Sequence, residues 1–166
     1  MTVTDLKEQF LIEFEKYFGI IHKISRAYTK TTQDREDLIH DITLELWKAF
    51  PHFKGDSKIS TWIYRIALNV SMNSKRGKKI KQISFSDTKH FAVRDWLSET
   101  DENSQTDFLY ECIDELNEFN KAIIILYLDS NSHEEISAIT GISKTNVGTR
   151  ISRIKDQIKR IAISKK

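Results

Sequence analysis

One proline and five glycines punctuate all 166 residues, and that scarcity constrains the fold more than any other feature. Tight turns draw on these two residue types, which together make up about 12% of an average chain. A turn-dense β architecture is poorly supplied, so the expectation is all-α. The apolar spacing points the same way. Leu6, Phe10, Phe14, Phe18 and Ile21 recur every three or four positions between Asp5 and Tyr28, the period of a helix that buries one face. A second helix is expected from about Asp34 to Phe50, with acids in its first turn and Pro51 as its stop. Ser60 can cap a third helix that reaches Arg76, where Gly77 and the cluster Lys78, Lys79, Lys81 end it.

Residues 77–105 show no sustained period and are rich in Ser, Thr, Asp and Lys, so they read as a flexible linker whose apolar islands, Phe85 and Trp96, could dock transiently. A second helical group starts near Asp107. Its run Ala122 to Leu128 is apolar throughout; with no partner strand in sight it reads as a buried helix. Ser132 to Glu135 has the Ser-x-x-Glu spacing of a capping box, which opens a short helix to about Ile139. Gly141 permits a left-handed turn, Ser143 can cap again, and a long helix runs to about Ile161. Helix, glycine turn and helix of these lengths form a helix-turn-helix pattern. The expected organisation is two small helical domains, 1–76 and 106–166, joined by the linker.

Net charge is only +2, but its distribution is uneven. Lys54 to Lys81 holds eight bases against Asp56 alone, and Lys144 to Lys166 holds eight against Asp156. Between them, Asp101 to Glu118 holds seven acids and no base. Two basic blocks suit contact with a phosphate backbone, because each neutralised phosphate releases counterions; two solvated helix faces would look the same by charge alone. The longest apolar run is far below the roughly 20 residues of a membrane span, and the acidic start is no signal peptide. The single cysteine, Cys112, excludes an internal disulfide and favours a reducing compartment. A soluble, cytoplasmic protein without membrane insertion is the expectation.

The helix faces sort the candidate contact residues. On the last helix, Val147, Ile151, Ile154, Ile158 and Ile161 form the buried stripe, and Thr145, Asn146, Thr149, Ser152 and Arg153 lie opposite. Short hydrogen-bonding groups with a guanidinium near a helix N-terminus suit base edges in a major groove. On the third helix, Trp62, Ile63, Ile66, Ala67 and Val70 make the expected core stripe. The other face then carries Thr61, Tyr64, Arg65, Leu68, Met72, Lys75 and Arg76, a mixture that suits unstacked bases and their phosphates, with Phe53 able to join from the loop. The second helix buries Leu38, Ile39, Ile42, Leu46 and Phe50. Its far side sets Asp37, His40, Asp41 and Lys48 beside Leu44 and Trp47, which suits a protein partner, unless Trp47 tucks back into the core. Catalysis finds no support. His133, Glu134 and Glu135 lack the two-histidine spacing of zinc hydrolases, no glycine-rich phosphate loop occurs, and Cys112 lies in an acidic stretch that disfavours a thiolate. No metal or cofactor is expected.

The strings Asp34-Arg35-Glu36-Asp37-Leu38-Ile39-His40-Asp41, Phe53-Lys54-Gly55-Asp56-Ser57 and Ser60 to Asn69 resemble the second region of bacterial sigma factors. Ser132 to Arg160 resembles their fourth region, and the size and spacing are similar to the minimal extracytoplasmic-function group. The resemblance implies that Asp37, His40, Asp41, Leu44 and Trp47 bind the clamp of core RNA polymerase. It implies that Phe53, Lys54, Lys58, Ser60, Thr61, Tyr64, Arg65, Asn69 and Asn73 act at the minus-10 element, with Trp62 nearby and the loop from Phe53 capturing a flipped base. It assigns Ser143, Lys144, Thr145, Asn146, Thr149, Arg150 and Arg153 to the minus-35 element, and it implies an anti-sigma factor as a further partner. The sequence departs from the family pattern at His40, where relatives often carry Gln, and at Gly148, where they often carry Lys or Arg. A freestanding helix-turn-helix regulator would use the last helix alike but leaves the acidic face unexplained. A protein-interaction module that mimics such a factor to titrate its inhibitor would need neither basic block.

Overall fold

The computed structural model describes residues 2–75 and 104–166, and the chain divides into two compact units, Met1–Glu99 and Thr100–Lys166. The expected linker core, with Phe85 and Trp96, lies outside the described residues, as does Arg76.

In the first unit, α1 (Val3–Tyr28) starts at a capping box: the Thr2 hydroxyl accepts from the Asp5 N–H, and the Asp5 carboxylate accepts from the Thr2 N–H. Thr31 caps α2 (Thr32–Ala49) through the Asp34 N–H. Pro51 does not end the chain's coiling at once. It sits in a single 3-10 turn, Phe50–His52, before the loop to α3 (Ile59–Lys75). α3 starts at Ile59, so Ser60 stands inside the first turn and is not the cap expected from sequence. The three helices pack pairwise. Phe10, Phe14, Phe18 and Ile21 of α1 meet Leu38, Ile39, Ile42 and Leu46 of α2 and Ile63, Ala67 and Leu68 of α3, all buried; each large side chain contributes about 1.5–3 kcal/mol. An aromatic ladder runs through this core, with ring centroids 5.7 Å apart for Phe10–Phe14 and 5.6 Å for Phe14–Phe18.

The second unit comprises α4 (Ser104–Asp114), α5 (Glu118–Leu128), α6 (His133–Thr140) and α7 (Lys144–Ser164). Asn117, Ser132 and Ser143 cap the last three, and Ser132 makes the expected capping box with Glu135. Gly141 adopts φ 85°, the left-handed conformation that ends α6. The apolar run of 122–128 is helical. Its Ile123 and Leu126 join Ile113, Ile136, Val147 and Ile154 in an aliphatic core. Lys121 is 1% exposed and pairs with Asp114 at 3.2 Å, linking α5 to α4. Breaking such a pair strands a charge and costs about 3–5 kcal/mol. No described helix is long and apolar enough to cross a membrane.

Candidate polymerase and DNA interfaces

On α2, Asp37 is exposed and His40 and Asp41 are half-buried. Burial, followed by the repulsion of Asp37, raises the Asp41 carboxyl above its ordinary range; Glu45 adds to the rise and His40 opposes it. Asp37, Asp41 and Glu45 thus form one acidic row at four-residue intervals, tethered at one end by Lys48, 3.5 Å from Glu45. Glu45 is a further member of this face, signalled in the sequence by its four-residue spacing from Asp41. Two expected members of this face are placed differently. Leu44 is buried, 7% exposed, because α2 packs against both α1 and α3 and so buries more than one face. Trp47 is half-buried, edge-on to Phe10 with centroids 5.2 Å apart. Neither is an exposed apolar contact.

The loop after α2 is pinned by Phe53, whose ring lies 5.0 Å from that of Trp62, and turned by Gly55 at φ 77°. Lys54 and Lys58 are exposed, and Ser60 is half-buried. On α3 the expected stripe is rolled. Tyr64 is 4% exposed, Thr61 and Leu68 are buried, and Trp62 and Ile66 are only half-buried. The reason is that α3 packs against both α1 and α2, so its buried arc is wider than a two-helix contact requires. The exposed residues are Arg65, Asn69 and Asn73, one per turn, with Ser74 beside the last.

The helix-turn-helix face is closer to expectation. Ser143, Lys144, Thr145, Asn146, Thr149, Ser152 and Arg153 are all exposed, with Val147, Ile151 and Ile154 buried behind them. The Thr149 hydroxyl donates to the Thr145 carbonyl at 3.2 Å, leaving its lone pairs outward. The cations differ. Lys144 pairs with Glu134 at 3.2 Å. Arg150 is half-buried: its guanidinium lies 4.9 Å from the Phe119 ring centroid and donates to Asn120 at 3.4 Å, so it braces α7 against α5. Among the described residues Arg153 has no such partner. Cys112 is buried, and burial first, then Glu115 and Glu111, push its thiol up, against the opposing pull of Lys165. No group of three metal-ligating side chains occurs among the described residues.

Residues 14–80 match the family described as Sigma-70 region 2, and residues 109–158 match Sigma-70, region 4. Together the two matches span most of the chain. The chain belongs to the sigma-70 family. Over 92% of its length this sigma factor is 27% identical to the ECF RNA polymerase sigma-E factor of Escherichia coli strain K12, covering 93% of that protein. A shorter match, 37% over 51 residues, links 31% of it to 14% of the ECF RNA polymerase sigma factor SigG of Mycobacterium tuberculosis H37Rv. Its fold is that of CnrH, solved in complex with the cytosolic domain of CnrY (TM-score 0.67, 19% identity, 96% of this chain and 91% of that one). It is also that of RpoE from Bartonella quintana, solved with the anti-sigma factor NepR (TM-score 0.66, 20% identity, 93% and 96%). The sigma factor is of the extracytoplasmic-function group and recognises promoter DNA together with core RNA polymerase.

Proposed function

We propose that residues 1–76 hold core polymerase and open the minus-10 element, that 77–105 connect the modules, and that 106–166 read the minus-35 element. The observation that carries this division is the acidic row Asp37, Asp41, Glu45 on α2. Such a row repels DNA, so a freestanding regulator has no use for it, whereas a basic polymerase surface does. With Leu44 withdrawn, polymerase contact rests on the three acids, His40 and the half-buried Trp47. The melting surface rests on Phe53, Lys54, Lys58, Ser60, Arg65, Asn69 and Asn73, with Tyr64 and Thr61 supporting it from within. Stacking groups gain little from an intact duplex but contribute about 1–3 kcal/mol per base on a single strand. Thr145, Asn146, Thr149 and Arg153 read base edges, and Ser143 and Lys144 lie beside the backbone. The protein acts in the cytoplasm as a non-catalytic subunit. RpoE was solved with an anti-sigma factor, and an inhibitor of that kind is the further partner proposed.

The test assembles the chain with core polymerase. Phe53→Ala with Arg65→Ala should still bind core and closed promoter DNA, yet form fewer permanganate-reactive open complexes, and a pre-melted bubble template should restore most activity. No rescue by the bubble, or unchanged duplex opening, rules out the melting role. Tyr64→Ala is uninformative because that ring is part of the core.

A further inference from the structure

α1 buries Phe10, Phe14, Phe18 and Ile21 against α2 and α3, and its opposite side carries an ordered row. Asp5, Ile12, Gly19 and Arg26 recur every seven positions, and Glu8 and Lys23 stand three residues inside the two ends. Seven residues are close to two full turns, so these side chains share one strip roughly 32 Å long. Asp5, Glu8, Ile12, Gly19 and Lys23 are exposed, and Arg26 is half-buried. Two members are out of character for a solvated helix face. Ile12 is 64% exposed. Gly19 is disfavoured in a helix relative to alanine, yet nothing lies within 4 Å of a Cβ there, so its own unit does not require a glycine. Asp5, Glu8, Gln9 and Ile12 line an open depression at the acidic end.

The strip is its own complement. Turned end over end, a second copy of α1 sets Asp5 against Arg26, Glu8 against Lys23 and Ile12 against Gly19, and a two-fold axis repeats each pairing. Ile12 of each copy then enters the gap that Gly19 of the other leaves, and Lys23 reaches the depression beside Glu8. The helix dipoles run in opposite directions, which favours the same arrangement. A parallel pairing would instead set Glu8 on Glu8 and Lys23 on Lys23, and like charges facing each other are costly. We propose that the chain self-associates through α1, two copies packing antiparallel across this strip. A single helix pair falls short of the roughly 1,200 Å² of a standard interface, so the dimer is a reversible one.

The experiment follows the full chain, without polymerase or DNA, by sedimentation velocity over a rising concentration series. The wild type should pass from monomer to dimer. Ile12→Gln should weaken association about tenfold by removing the apolar contact made twice. Glu8→Lys and Lys23→Glu should each weaken it about as much, since each places like charges opposite one another, and the two changes in one chain should restore it. Gly19→Gln should leave the melting temperature unchanged or raised while weakening the dimer, a split that a role confined to folding does not produce. Circular dichroism of each variant checks that helicity is kept. A wild type that stays monomeric throughout overturns the proposal. A dimer indifferent to Ile12→Gln and Glu8→Lys forms through another surface, which also overturns it. Failure of the paired charge swap to restore what each single change loses overturns the antiparallel register.

Discussion

α3 and α7 are the helices assigned to DNA in the two units, and they offer polar surface in different amounts. α3 is flanked by α1 and α2, and what it leaves exposed is the row Arg65, Asn69, Asn73 with Ser74 beside its end. α7 buries Val147, Ile151 and Ile154 but keeps exposed residues on two adjacent rows, among them Thr145, Thr149, Ser152 and Arg153. A central helix reads through a seam and depends on neighbours such as the Phe53 loop. α7 packs against α4, α5 and α6 on one side and keeps the opposite side clear. Substitutions near the first surface therefore disturb stability and partner binding together, while those on the second separate the two.

The largest effect expected belongs to the first unit and to its protein-facing side. Asp37→Lys with Asp41→Lys reverses two of the three acids in the α2 row. Like charges then face a basic partner, which costs several kcal/mol. Co-purification with core polymerase should be lost while far-ultraviolet circular dichroism stays unchanged; retained association removes this row from the interface.

Acid should separate the units next. His22 is 5% exposed in the first unit, and burial first, then Arg35 and Arg26, lowers its pKa from 6.5 to about 4. Between those values the unfolded chain binds a proton that the folded chain refuses. The stability from neutral His22 is therefore complete above pH 6.5 and is lost as pH falls toward 4, amounting to about 3 kcal/mol. Asp41, with its pKa raised, has the opposite sign and offsets part of this. Hydrogen exchange in α1 and α3 should accelerate over that range while α5 stays protected, and His22→Gln should flatten the response. Equal acceleration in both units would show that the first is not specially acid-sensitive.

Arg150 and Arg153 test the second unit on its own. Arg153→Ala should cost about 1–3 kcal/mol in binding to selected duplexes, or flatten the salt slope by about one unit if the contact is to phosphate, with no change in folding. Arg150→Ala should do the reverse, lowering stability by about 1 kcal/mol through the lost Phe119 contact and changing affinity less. Thermal melts beside anisotropy titrations check the pair, and identical behaviour of the two variants would contradict the separation.

The same contrast governs what could be read from the residues alone. α7 was legible because its Ser143 cap, Gly141 turn and isoleucine stripe fix both its start and its roll. Arg150 was not, since a cation on a helix border looks the same whether it points to DNA or folds onto Phe119. α3 was legible as a helix but not in its roll: Tyr64 and Leu68 against Trp62 and Ile66 offer two apolar arcs of similar width. Only contact with both α1 and α2 decides between them. Leu44 was read as outward for the same reason, since periodicity counts one buried face and a three-helix core buries two.

The smallest effects come from three glycines, and they differ in sign. Gly19 in α1 and Gly148 in α7 have ordinary helical backbones, and glycine within a helix costs about 0.5–1 kcal/mol relative to alanine. Nothing lies within 4 Å of a Cβ at Gly19, and at Gly148 a methyl would meet His133 at 3.5 Å, an ordinary contact. Gly19→Ala should therefore stabilise the first unit, and Gly148→Ala the second, each by about that amount. Gly141 also has open space around its Cβ, but its φ is 85°, a conformation in which any L side chain is strained. Gly141→Ala should destabilise the second unit by about 1 kcal/mol or more, and because this residue sets the turn between α6 and α7, it should also loosen the placement of His133 over Gly148. Urea titrations of the three variants check the signs. A stabilising Gly141→Ala would mean that the α6–α7 turn relaxes without the left-handed residue, and the fixed geometry assigned to this motif would then be wrong.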